Sequence, residues 1–424
     1  MRMIPTIASL SLLPLLAACA TSEADGASSS TSASSEASAS AEAVVADGST
    51  EYEEAQPRLV VTYAEGAEVL SLDGSEIEPL AEVDMTAGAF AALGADGRFV
   101  YFVDYTNGVV SILDAGTWAE AHGDHYHYFT GDVELLEDQI LGAAPTHVIG
   151  HDGIVAVFQD GDGQVTLVDE VSLAEGTLST SVVETNEPHH GVAVPVEGGL
   201  LYTETPDGGL PDTVVQIDSD GNEVARYDGE CAGLHGEAVD GDLALFGCYT
   251  EILVIDMHDN TSSTIAYPEL IEDVRVGTFY EGDPLVGNWT GEEILLVDAE
   301  GGTSETLNVG GTVGKIARMG DDIIVLTTDG LIRVFSPEGE LETEVQAIEA
   351  YELPEGHSTA GPAIAVTGDT VVVTDYAGEQ IVLVDATDGE VVGTYELDGQ
   401  PTGVVIAGTA ADDAEAHDHD HDED

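Results

Sequence analysis

Positive charge is what this chain lacks most. It has eight lysines and arginines against 83 aspartates and glutamates, a net charge of −75, and its only lysine is Lys315. Nucleic-acid binding is excluded, because neutralising phosphates needs a basic face. The acid excess suits either a solvated surface in high salt, where self-repulsion is screened, or a field that concentrates cations. Cysteine is scarce too: the three are Cys19, Cys231 and Cys248. No Cys-x-x-Cys-His haem attachment and no Gly-rich nucleotide loop occurs. Long segments of helical period are also rare.

Only one long apolar run is present, Met3 to Ala18 behind Arg2. A charged start, a short apolar core and small residues read as a signal peptide over residues 1–18, too short for a bilayer-spanning helix. Leu16-Ala17-Ala18-Cys19 has the form of a bacterial lipobox, which makes Cys19 the lipidated first residue of the mature chain. An ordinary secretory signal is the alternative. Residues 19–57 are Ser, Ala, Glu and Thr with few large apolar side chains. Such a segment cannot fold alone and forms a tether reaching roughly 35 Å. The expected location is therefore extracytoplasmic, anchored to the outer face of the cell membrane or periplasmic, and a monomer is expected. In an oxidising compartment Cys231 and Cys248, flanking a hairpin that turns at Asp240-Gly241-Asp242, form a disulfide by default; thiolate metal ligands are the rival reading.

The body, residues 58–408, repeats. A turn with Gly or Asp, a run of β-formers, a polar turn and a second run ending in Asp recur as GRFVYFVDYTNGVVSILD, GIVAVFQDGDGQVTLVD, GDLALFGCYTEILVID, GDPLVGNWTGEEILLVD, DDIIVLTTDGLIRVF and GDTVVVTDYAGEQIVLVD, with a longer variant from Gly198 to Asp218. Starts lie roughly 40–47 residues apart, with one larger gap after the first copy. Short strands at this period match the blades of a β-propeller. Seven copies are complete. The strand-like run Pro401–Gly408 completes an eighth with Arg58–Asp73, closing the ring and removing its open edge. The expected fold is an all-β propeller of eight blades, with seven as the alternative.

Aligned on their turns, His147 (HVIGHDG), His190 (HGVAV) and His235 (HGEAVDG) occupy one position in three consecutive copies. Elsewhere that position holds Ala91, Val276, Gly314, Pro362 or Gly403. The first strand of a blade lines the central channel, so three imidazoles converge there, a ligand set suited to zinc with an open fourth position. Water, a loop ligand or Glu237, two residues after His235 and hence on its side of a strand, could complete it. His189 faces the other way; His151 and His357 are weaker candidates. The insertion TWAEAHGDHYHYFTGD offers His122, Asp124, His125 and His127 as a mobile site for zinc or copper. The end of the chain, 409–424, alternates His417, His419 and His421 with acids and reads as a disordered metal-binding tract.

HGDHYHYF, EPHHGVAV and CAGLHGEAVDGDLALFGC together resemble the extracytoplasmic zinc metallochaperones of the AztD type, over about residues 58–408. The resemblance implies a propeller that binds Zn²⁺ and hands it to the zinc solute-binding protein of an ABC importer, without enzymatic activity. It also implies a flexible His-rich loop in metal capture, here His122, His125 and His127. A lactonase-like metal hydrolase using Glu237 as base, or a metal-independent interaction propeller, are the alternative functions.

Overall fold

The computed structural model describes residues 48–122, 125–354 and 361–409. The signal segment and Cys19, Asp124, His357 and His417, His419 and His421 lie outside the described residues.

Runs of Val, Ile, Leu and aromatics set the architecture. Phe99–Asp104 and Thr370–Asp375 are buried almost throughout, so both faces of these strands are covered, as in stacked sheets. Outer strands such as Thr261–Ala266 are largely exposed. Inner strands such as Pro145–His151 and Ala363–Thr367 are partly exposed. Among the described residues eight four-stranded antiparallel sheets result, though one inner strand, Ala193–Val196, is wholly buried. One sheet takes its inner strand from the end of the body: Gly403–Ala407 pairs with Arg58–Thr62, from Arg58↔Ala407 to Thr62↔Gly403.

Eight apolar clusters glue the sheets together, each shared by two neighbours. One joins Leu59 and Leu70 to Val372 and Leu383, and another joins Val60 and Val69 to Val100 and Leu113. The sheet assembled from both ends of the body is thus flanked on both sides. Each fully buried aliphatic side chain contributes about 1.5–3 kcal/mol, so stacking stabilises what no single sheet could. The architecture is a β-propeller.

Cys231 and Cys248 form a disulfide with their Cα atoms 5.1 Å apart, which removes them as metal ligands. The strands between them are His235–Asp240 and Leu243–Gly247, and the bridge braces the segment leading into His235. Among the described residues, no helix is long and apolar enough to cross a membrane.

Two sequence expectations need adjusting. The insertion is not a loose loop but a strand pair, Thr117–His122 with His125–Thr130. Trp118 and Phe129 stack at 5.5 Å, and the Arg98 guanidinium lies 4.2 Å from the Trp118 ring. Ordered structure also begins before Arg58: Thr50–Tyr52 adds a third strand to that pair, with Glu51 opposite Phe129.

Candidate metal centre

Three neighbouring sheets each deliver one histidine. His147 sits near the start of the inner strand Pro145–His151, where the register slips between Pro145 and Val148. His190 precedes the inner strand Ala193–Val196, and His235 opens the inner strand His235–Asp240. Their ring centroids stand 5.1, 5.3 and 5.3 Å apart, and one ring nitrogen of each lies within 4.8 Å of the others.

Hydrogen bonds orient two of the rings. His190 Nδ1 lies 2.7 Å from Asp160 Oδ2, and His235 Nδ1 lies 3.0 Å from the Gly277 carbonyl. Both partners accept, so Nδ1–H donates and Nε2 keeps its lone pair. Those Nε2 atoms are 3.2 Å apart. Two lone pairs facing each other repel unless a cation lies between them. Tetrahedral Zn²⁺ with bonds of about 2.0–2.1 Å would hold its nitrogens about 3.3–3.5 Å apart. The donor set therefore fits the ion.

Asp160 lies in a hairpin turn and is held in place by Thr146 Oγ1, which donates to its Oδ1 at 2.6 Å. Burial pulls the His147 pKa down to about 3, helped by the neighbouring imidazoles and opposed by Asp160. Burial also lowers that of His235, with Gly277 opposing and Arg275 and His190 assisting. These rings are neutral near pH 7, the form that binds metal.

Glu237 does not join this group. A bulge between His235 and Glu237, with Gly236 at φ +69°, breaks the alternation that would have put both on one side. Burial, then Glu281, raises its pKa to about 7. Glu237, the residue to which the hydrolase reading assigns the base, is thus not part of the histidine group. His189 is a buried core residue, with Nδ1 near the Glu187 carbonyl and Nε2 3.1 Å from Thr203 Oγ1. His151 pairs with Asp152 at a turn.

A second set lies on the insertion. His122 pairs with His125 across the strands and Glu120 with His127, putting all four on one face. The three imidazole centroids are 5.0–5.2 Å apart, with His125 and His127 Nε2 atoms 3.2 Å apart. Glu51 Oε1 lies 2.6 Å from His127 Nδ1. His122 and His125 are exposed and His127 half-buried. This set is rooted where the third strand of its sheet ends, at Asp114, whereas His147, His190 and His235 stand where inner strands begin. In sheets of alternating direction these are opposite ends. A third grouping, Asp256, His258 and Asp259, is a mostly exposed turn.

Sequence reasoning missed Asp160 and Glu51. Asp160 belongs to a turn whose partner lies one repeat away. Glu51 lies in the segment read as a tether, where Tyr52 between acids was the only hint of a strand.

No family model matches the chain. It is 26% identical over 363 residues to a curated protein, zinc chaperone AztD of Citrobacter koseri, covering 82% of this chain and 86% of that protein. Two crystal structures of Citrobacter koseri AztD share its fold. One superposes with a TM-score of 0.75 at 24% identity, covering 86% of this chain and all of that one. The apo form gives 0.73 at 23% identity, covering 84% of this chain and all of that one. Dihydro-heme d1 dehydrogenase NirN is alike in fold alone, with a TM-score of 0.56 at 14% identity. In sequence and in fold, then, the chain resembles zinc chaperones of the AztD type.

Proposed function

We propose that this protein is a zinc metallochaperone that captures Zn²⁺ outside the cytoplasm and passes it to the solute-binding protein of a zinc ABC importer. The observation that carries this reading is the convergence of His147, His190 and His235, with two rings held by Asp160 and the Gly277 carbonyl so that their Nε2 atoms face each other. Similarity to a protein named as a zinc chaperone supports the cargo. Cys19 anchors the chain through lipid, and residues 19–49 tether the propeller.

Three protein ligands leave the zinc one position for an incoming side chain. A docked receiver can therefore take the ion by stepwise ligand exchange, whereas a closed four-ligand shell offers no such entry. Asp160 and the Gly277 carbonyl keep the imidazoles aimed throughout the exchange. His122, His125 and His127 bind metal in the open, with Glu51 orienting His127. The tract with His417, His419 and His421 adds a looser reservoir.

Zinc titration against a competing chelator tests this reading, followed by transfer to a zinc solute-binding protein. The native chain should hold one tight equivalent and release it to the receiver. His190→Ala with His235→Ala should abolish that equivalent. Unchanged tight binding in the double variant would refute the site.

A further inference from the structure

Cations are so few here that the surroundings of each described lysine and arginine can be followed. Arg98 pairs with Asp114, Arg226 with Glu204 and Glu223, and Arg333 with Asp329 and Glu344. Arg58 and Arg318 donate to backbone carbonyls. Arg275 lies over the Tyr249 ring. Lys315 differs: among the described residues no carboxylate pairs with it, although the chain carries 83 acids.

Lys315 stands on the inner strand Val313–Met319, immediately after a register slip at Gly314. Solvent reaches its side chain, yet the surrounding protein strips enough water to lower its pKa, with no nearby acid opposing. It lines a cavity of about 320 Å³ with Tyr351, Leu353, Pro354, Pro362 and Thr402. That volume is at the small end of ligand cavities, about 300–1,000 Å³.

Tyr351 supplies the second, independent observation. Its hydroxyl is buried and has no hydrogen-bond partner among the described residues. Buried polar groups are nearly always satisfied. Burial pushes its pKa up to about 12, so it is a neutral donor at physiological pH. The hydroxyl has room only because residue 314 is glycine: a Cβ there would collide with it.

The cavity thus offers an exposed ammonium beside a phenol hydroxyl enclosed in its wall, both lacking an acceptor among the described residues, against leucine and proline walls. A metal cation is repelled by the ammonium. A neutral apolar molecule would leave both donors unmet. A carboxylate with an apolar body answers all three features: one oxygen accepts from the ammonium in a charge-assisted bond, and the other suits the hydroxyl once the Tyr351 side chain turns it to the cavity. We propose that this cavity is a binding site for small organic carboxylates, with Lys315 and Tyr351 as the recognising pair. It uses none of the histidines, so it stands apart from the zinc reading.

The test is calorimetric titration of the full chain with benzoate, using benzamide as the neutral isostere. Benzoate should bind saturably and benzamide at least tenfold more weakly. Lys315→Met and Lys315→Gln should each weaken benzoate at least tenfold, and Tyr351→Phe about threefold, with circular dichroism confirming that each variant is folded. Acidic side chains of residues 412–424 carry the same chemistry, and a variant with those acids changed to amides separates the two sources. Unchanged benzoate affinity there assigns the cavity to free carboxylates. A tenfold gain shows that the chain's own carboxylates compete for it. Benzoate binding undiminished by both Lys315 changes, or no saturable binding in either the native chain or the amide variant, overturns the proposal.

Discussion

The two histidine sets have nearly the same local chemistry and differ in how the fold supports them. Each has three imidazoles and one Nε2–Nε2 approach of 3.2 Å. Each has a carboxylate on one Nδ1, Asp160 at 2.7 Å in one and Glu51 at 2.6 Å in the other. The inner set draws its ligands from three sheets locked by apolar clusters, and burial keeps His147 neutral. The insertion set comes from six residues of one hairpin with two of its histidines exposed. Stacked sheets restrict where the inner ligands can go, so less ordering remains to be done when metal binds. On the proposed zinc reading, that difference predicts a tight store at the inner strands and a faster, weaker one on the hairpin.

The comparison can be broken most forcefully at the ligands. His190→Ala with His235→Ala should lower tight zinc affinity at least a hundredfold, while His122→Ala with His125→Ala should leave that equivalent in place and remove a weaker one; chelator competition reads both. Next comes support of the ligands. Asp160→Asn should cost roughly 10–100-fold in inner-site affinity, as losses of such orienting partners usually do, and Glu51→Gln less, because its site is open to solvent. Removing the disulfide with Cys231→Ala and Cys248→Ala should cost about 3 kcal/mol of stability by chain entropy. Because the bridge braces the approach to His235, inner-site zinc affinity should fall with it and hairpin affinity should not. Urea melts measure the first effect and chelator competition the second.

The smallest effect is in pH. Unfolded His147 titrates near its ordinary value of 6.5, whereas the folded imidazole titrates at about 3. Between those values the unfolded chain binds the extra proton, so stability should fall as pH drops from about 6.5 towards 3. In the metal-free protein His147→Asn should flatten that slope, seen as urea midpoints measured against pH. The hairpin variants should not.

The propeller and its inner site were largely legible because Asp-Gly turns fix a register. Once the repeats are aligned on those turns, His147, His190 and His235 fall together with no knowledge of their contacts. Alternation then misled at one residue. Gly236 sits between His235 and Glu237, and its positive φ makes the bulge that separates them; the glycine was visible, its conformation was not. The hairpin was also available to be read. Trp118, Glu120 and His122 alternate, as do His125, His127 and Phe129, across a two-residue Gly-Asp connection, a common hairpin signal. Asp160 and Glu51 could not be found by spacing, because each meets its histidine only after distant strands have been brought together.

The most direct test of the central claim is histidine-resolved NMR of the imidazole nitrogens during addition of the first equivalent of Zn²⁺. The signals of His147, His190 and His235 should shift together and saturate first, while those of His122, His125 and His127 stay in place until more metal is added. If the hairpin signals saturate first, or the inner three titrate independently of one another, the inner strands do not hold the tight zinc.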